Sequence, residues 1–199
     1  MRIEIRNDSV VIDGYVNAVE RMSNPVITPH GKVIEVIEQR AFERALERAE
    51  NVELLLNHDK ERKLGSVVDG NLELWEDNIG LRAICSVTDS EVIQKAKEGK
   101  LKGWSFGMYA TNDSIEERAE GLPIRHIKDL DIFEVSIIDN RMNQCYTATS
   151  IETRAEGEKV LEQRAYENRS VVENMVETPK ETIDYTKYEE RIANLKVGK

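Results

Sequence analysis

Ser105 stands between two aromatic residues, Trp104 and Phe106, with Gly103 and Gly107 one step further out. Residues 101–109 read Leu-Lys-Gly-Trp-Ser-Phe-Gly-Met-Tyr. Glycine has no Cβ, so the pair lets another backbone come close and lets the chain bend without steric cost. Helix-like sequence precedes the serine and strand-like sequence follows it. That order constrains the fold. A G-x-S-x-G nucleophile elbow needs a strand before the serine, a helix after it and its histidine last in the chain. Here helix and strand are reversed, and His126 sits inside the next alternating stretch, so the α/β-hydrolase arrangement is set aside. Taken alone, Ser105 reads as a β-bulge serine without chemistry.

The rest of the body is rich in strands. Residues 3–19 alternate loosely, with Val10, Ile12 and Val16 at even spacing and Gly14 breaking the run into strand, turn and strand. Residues 24–32 hold Pro25, Pro29 and Gly31 and read as a loop carrying a solvated His30. Ala41, Phe42, Ala45, Leu46 and Ala49 recur at helical spacing, which predicts a helix over 39–50. Residues 52–56 form a short apolar run, a buried strand that ends in Asn57-His58-Asp59. Strands follow over 64–68, 72–75 and 79–87, with turns at Gly70-Asn71 and Asn78 to Gly80. Thr88 and Glu91 have capping-box spacing ahead of a short helix, and Gly99 stops it. Residues 122–127 and 130–138 are the last two strands. The expected fold class is α+β, mainly β: a small closed or partly closed β-barrel with flanking helices and a helical C-terminal extension.

Composition bounds the function. The 199 residues suit one compact domain, 1–150, and a charged extension, 151–199. In the extension, Leu161, Ala165, Val172 and Met175 have roughly helical spacing, as do Tyr185, Tyr188, Ile192 and Leu195 beyond Pro179. A formal net charge of −10 argues against a surface that tracks nucleic-acid phosphates. No run reaches the length of a membrane span, and no apolar signal region opens the chain. Cys85 and Cys145 have neither metal nor redox spacing, so buried, reduced thiols in an intracellular protein are expected.

Three stretches carry candidate chemistry: His58 at a strand end, Ser105, and Phe133-Glu134-Val135-Ser136. Glu134 interrupts an apolar run, so it faces solvent or is buried with a partner. A serine hydroxyl is a poor nucleophile until a base takes its proton. A neutral imidazole does this near pH 7, and a carboxylate on its other nitrogen fixes the tautomer. Ser105, His58 and Glu134 are the residue types such a site needs. A metal hydrolase built on His58 and Asp59 lacks further ligands at suitable spacing; neither metal nor cofactor is expected.

Residues 12–149 resemble the prohead maturation proteases of tailed bacteriophages, relatives of the herpesvirus assemblins. The resemblance rests on Leu54-Leu55-Leu56-Asn57-His58-Asp59 with Leu64-Gly65, on Gly80-Leu81, on residues 99–107, on Phe133-Glu134-Val135-Ser136, and on Glu35-Val36-Ile37 leading to Ala41-Phe42. It implies a serine endopeptidase with Ser105 as nucleophile, His58 as general base and Glu134 as the third member, a histidine in the herpesvirus branch. It implies action inside the immature capsid, in the host cytoplasm. The implied substrates are scaffold segments, the scaffold-like part of the major capsid protein, and the protease itself. Self-cleavage is expected near 149–157 or 178–184. Two departures stand out: residues 139–146 keep only the tyrosine of the family's Pro-Ala-Tyr, and Arg40 replaces the usual glycine before Ala41. Arg141 is a candidate oxyanion donor. Self-association into a homo-oligomer is left open. The rival reading is a catalytically silent assembly or scaffolding factor of the same fold.

Overall fold

The structure is a computed structural model that describes residues 1–28, 31–140, 162–167 and 171–174. Its described strands form two sheets. In the first, β1 (Arg2–Ile5), β2 (Val10–Ala18), β7 (Leu72–Glu76) and β8 (Gly80–Val87) join β12 (Val171–Asn174) in the order β12-β1-β2-β8-β7. In the second, β3 (Val26–Thr28), β4 (Gly31–Ile37), β9 (Leu101–Glu116), β10 (Ile124–Asp139) and β11 (Glu162–Glu167) run in the order β11-β9-β10-β4-β3. The hairpin of β5 (Glu53–Leu56) and β6 (Asp59–Ser66) attaches to β10 through β5. Helices α1 (Ala41–Arg48) and α2 (Ser90–Lys97) complete the body. One core takes residues from both sheets and both helices, among them Ile3, Ile12, Phe42, Leu81, Val92, Trp104 and Phe106. Phe42 meets Phe106 edge to face at 5.4 Å between ring centres.

Several sequence expectations change in detail. The architecture is mainly β with two helices, and no closed barrel is found among the described residues. Gly14 does not break a strand; it lies inside β2, where a Cβ would come within 3.1 Å of Trp104 Nε1. It therefore marks a close approach between the sheets. The loop read over 24–32 contains the β3–β4 pairing, and His30 lies outside the described residues. Asp89, not Thr88, caps α2 by accepting from the Val92 N–H at 3.0 Å. Of the extension read as helical, residues 162–167 and 171–174 are strands, one added to each sheet. Helical spacing there rested on a few scattered apolar residues. Two open sheet edges, which local sequence does not reveal, offer a complete backbone ladder instead. The Tyr185, Tyr188, Ile192 and Leu195 stripe lies outside the described residues.

Strand β10 spans what the sequence suggested were two strands. Its register slips between Ile127 and Leu130. A bulge leaves main-chain groups without ladder partners. Here α1 supplies them: Arg44 Nη2 donates to the Lys128 carbonyl at 2.5 Å, and Arg48 Nη2 to the Leu130 carbonyl at 2.7 Å. A second slip, between Ile132 and Glu134, shapes the site.

Candidate active site

The second slip inserts Phe133 opposite a step of β9 that holds no extra residue: Ile132 pairs with Met108, and Glu134 with Gly107. The inserted residue reverses the strand's parity. Before it, even-numbered Leu130 and Ile132 face the core; after it, odd-numbered Val135 and Ile137 do. Successive side chains of a strand alternate between faces. Glu134 and Ser136 are thereby turned to the opposite face, still buried at 2 % and 0 % exposure. Strand β9 is sorted the same way. Trp104, Phe106 and Met108 join the core, while Ser105 and Gly107 share the other face with Glu134 and Ser136. Gly107 is small for a reason: a Cβ there would overlap the Phe133 ring and lie 2.5 Å from Glu134 Oε1.

His58 arrives from the β5–β6 hairpin. Leu56 pairs with Asp59, so Asn57 and His58 form a two-residue turn, and both have positive φ, 56° and 60°. That is the primed turn whose twist suits a hairpin, and asparagine tolerates it well. The turn is tied down on the β10 side. The Asn57 N–H donates to the Ile137 carbonyl at 3.0 Å, and Asn57 Oδ1 accepts from the Asp139 N–H at 3.0 Å. The His58 N–H donates to Ser136 Oγ at 3.0 Å.

These elements bring His58, Ser105 and Glu134 into one hydrogen-bonded row. His58 Nε2 lies 2.6 Å from Ser105 Oγ, and Nδ1 lies 2.6 Å from Glu134 Oε1. The other carboxylate oxygen, Oε2, accepts from Ser136 Oγ at 2.7 Å. An ionised Glu134 only accepts, so Nδ1 donates and Nε2 is left to take the serine proton. The Ser136 hydroxyl, accepting from the His58 main chain and donating to Glu134, locks acid and imidazole together. Nothing in the sequence singled out Ser136, although its place two residues after Glu134 on a strand puts it on the same face.

This is the hydroxyl–imidazole–carboxylate order of acyl-transfer chemistry. The model of the family described as Caudovirus prohead serine protease matches residues 1–163. The chain belongs to that family. As a prohead serine protease it is a hydrolase of phage capsid maturation. The family match runs past Ser150 and takes in the first residues of β11. Searches of curated proteins and of solved structures found no match.

The other residues weighed from the sequence of this prohead protease lie elsewhere. His126 Nε2 pairs with Glu116 Oε2 at 2.9 Å on the far half of the β9–β10 ladder. Asp59 is exposed and accepts from the Glu61 N–H. No group of three or more metal-ligating side chains occurs among the described residues. No helix among them is long and apolar enough to cross a membrane. Arg141 and Cys145 lie outside the described residues. Cys85 is buried in the core, and burial pushes its thiol up to about 12. Arg40 has φ 67° at the start of α1. That conformation favours glycine, the residue that the resemblance led one to expect there.

Proposed function

We propose that the protein is a serine endopeptidase of the phage procapsid with Ser105 as nucleophile, His58 as general base and Glu134 as the residue that orients it. The observation that carries this is the row of two 2.6 Å contacts, Ser105 Oγ to His58 Nε2 and His58 Nδ1 to Glu134 Oε1. Ser105 Oγ attacks the scissile carbonyl carbon while its proton passes to Nε2. Glu134 stabilises the imidazolium that forms, and the same proton then goes to the leaving amine. The row needs no metal to activate the hydroxyl.

The substrates in this reading are scaffold segments, the scaffold-like region of the major capsid protein, and the protease itself. The place of action is the immature capsid in the host cytoplasm. The net charge of −10 supports capsid-protein segments over nucleic acid as partners. Residues 1–150 hold the catalytic row, and 151–199 serve as a capsid-targeting or self-removed extension. Kinship with the herpesvirus assemblins, supported by the order of the motifs, belongs to the same reading. A silent scaffolding factor would have no use for a buried carboxylate held on a buried imidazole, which costs free energy unless fully partnered.

The test is co-assembly of major capsid protein with the protease or with its Ser105→Ala variant. Processing by the parent and an uncut capsid protein with the variant are expected. Equal processing by both removes Ser105 from the reaction.

A further inference from the structure

Strand β11 lies antiparallel against β9 from Gly103 to Met108, along the edge that carries the nucleophile. Ala165 pairs with Ser105 and Arg164 with Phe106. The Arg164 carbonyl oxygen is 2.5 Å from Ser105 Oγ. One C=O bond beyond that oxygen, its carbon is about 3.7 Å from Oγ at most. The hydroxyl has one proton and two acceptors within bonding distance, His58 Nε2 and this carbonyl. An extended peptide that adds to a sheet edge presents its backbone in this way.

The Arg164 side chain is held as firmly as its carbonyl. Its guanidinium makes a two-pronged contact with Glu35, Nε to Oε2 at 2.5 Å and Nη2 to Oε1 at 2.7 Å. Glu35 is 3 % exposed and sits on β4, two strands away from β9. Its main chain is fixed by Ser23, which bonds both its N–H and its carbonyl. Arg125 Nη1 also donates to Glu35, at 3.0 Å, and Arg125 Nε pairs with Asp113. Among these described residues, Glu35 and Asp113 face Arg125 alone once Arg164 leaves. The pocket then keeps Arg125 on Glu35 Oε1 but has lost the Arg164 donor to Oε2, and a buried carboxylate oxygen deprived of its donor is costly. It is suited to a planar cation that bonds through two nitrogens.

We propose that β11 is this enzyme's internal substrate: Glu35 selects arginine on the amino side of the scissile bond, and the bond cut in the chain is Arg164–Ala165. The proposal rests on Ser105 being the nucleophile. Ser105 Oγ bonds to the Arg164 carbonyl carbon and its proton moves to His58 Nε2. The bond to the Ala165 nitrogen breaks, and that amine takes the proton. Water then adds at the acyl carbon, frees the serine hydroxyl and leaves Arg164 as a new carboxyl terminus. Until the bond is cut, β11 fills the edge that other substrates need.

The experiment uses the full chain and two readouts. Intact-mass spectrometry follows the purified protein and its Ser105→Ala variant over time. In parallel, both are given the peptide Glu-Gln-Arg-Ala-Tyr-Glu-Asn and versions with Lys, Gln, Leu or Glu in place of Arg. A fragment ending at Arg164 is expected from the parent only. Arginine should be preferred over lysine by about tenfold in kcat/KM, because lysine bonds one point instead of two. It should be preferred over the other residues by about a hundredfold or more. Glu35→Gln should level these differences, and Arg164→Glu, which leaves the pocket intact, should abolish the self-cut. Processing at other bonds, or cleavage indifferent to arginine, overturns this inference while leaving a Ser105-dependent protease standing. Parent and Ser105→Ala proteins equally inert toward peptides, themselves and capsid protein overturn both.

Discussion

Ser136 sits directly opposite Ser105 in the β9–β10 ladder, and its hydroxyl joins the Glu134 carboxylate to the His58 main chain. The proposed nucleophile and its clamp are thus set by one register. Ser136→Ala removes both bonds and leaves a buried carboxylate oxygen and a buried N–H without that partner. The expected cost is about 1–3 kcal/mol of stability. A loosened imidazole should also lower kcat by about ten- to a hundredfold with KM little changed. Steady-state kinetics on a peptide substrate, with urea unfolding alongside, measures both. A fully active Ser136→Ala enzyme would show that Glu134 holds its place without the clamp.

Glu134→Gln keeps the shape and removes the charge. The amide can offer its oxygen to Nδ1, but it no longer stabilises an imidazolium, and a flipped amide would donate and force the wrong tautomer. The rate is expected to fall by about a hundredfold to ten-thousandfold, with the fold retained. On the proposed kinship with the herpesvirus assemblins, Glu134→His should retain part of the activity. Equal kcat for Glu134→Gln and parent between pH 6 and pH 8 would remove Glu134 from the mechanism.

The Asn57-His58 turn predicts a separation of turn geometry from chemistry. Asn57→Gly keeps the positive φ and loses only the bond to the Asp139 N–H. Asn57→Ala loses both, so it should be less stable than Asn57→Gly by about 1 kcal/mol. Thermal unfolding of the two variants decides this. A more stable Asn57→Ala protein would mean that the side-chain bond, not the backbone, governs the turn.

The parts of the fold legible in the sequence are those written in local pattern. Helix α1, the β5 run ending at His58, the hairpin of β7 and β8, and Gly99 at φ 64° after α2 follow from spacing and turn residues. The three side chains named for chemistry also meet in space, because each stood at a break in a pattern: a histidine closing an apolar run, a serine among glycines, an acid inside a strand. The rest depended on pairing between distant segments. The Phe133 bulge flips the parity of β10, and a bulge has no local signature in an apolar run. Glu35 read only as part of an upstream motif; its pocket exists because β4, β9, β10 and β11 become neighbours. Strand β11 itself has weak local preference and takes its conformation from the edge it joins.

Cys85 gives a pH dependence whose sign follows from burial. Its thiol is pushed up to about 12 in the folded protein, against about 8.5 for an exposed cysteine. The folded state therefore holds a proton that the unfolded state loses first. Stability from this group is present in full below pH 8.5 and declines as the pH rises toward 12. At pH 10.5 the loss is about 2–3 kcal/mol at ~1.4 kcal/mol per unit. Comparing unfolding free energies of parent and Cys85→Ala at pH 7 and pH 10.5 isolates it, since the other titrating groups are shared. Parallel alkaline losses in the two proteins would contradict a buried, protonated thiol.

Gly107 ties packing to chemistry most directly. A Cβ on Gly107 would meet the Phe133 ring and lie 2.5 Å from Glu134 Oε1. Both are side chains, so something yields without breaking the ladder. Phe133 is held by its contact with Tyr109, 5.1 Å between ring centres, and Glu134 Oε1 by His58 Nδ1 at 2.6 Å. Whichever moves, the added methyl disturbs the carboxylate that bonds His58 Nδ1 and is proposed to orient the imidazole. Overpacking of this kind costs about 1–3 kcal/mol. Catalysis should suffer more than stability, because a carboxylate displaced by about 1 Å no longer fixes the ring; a hundredfold fall in kcat is expected. A proton held in the 2.6 Å contact between His58 Nδ1 and Glu134 Oε1 is expected to give a strongly deshielded NMR signal, and Gly107→Ala should shift or abolish that signal while circular dichroism stays unchanged. If Gly107→Ala keeps both that signal and full activity, the glycine serves the strand and not the site.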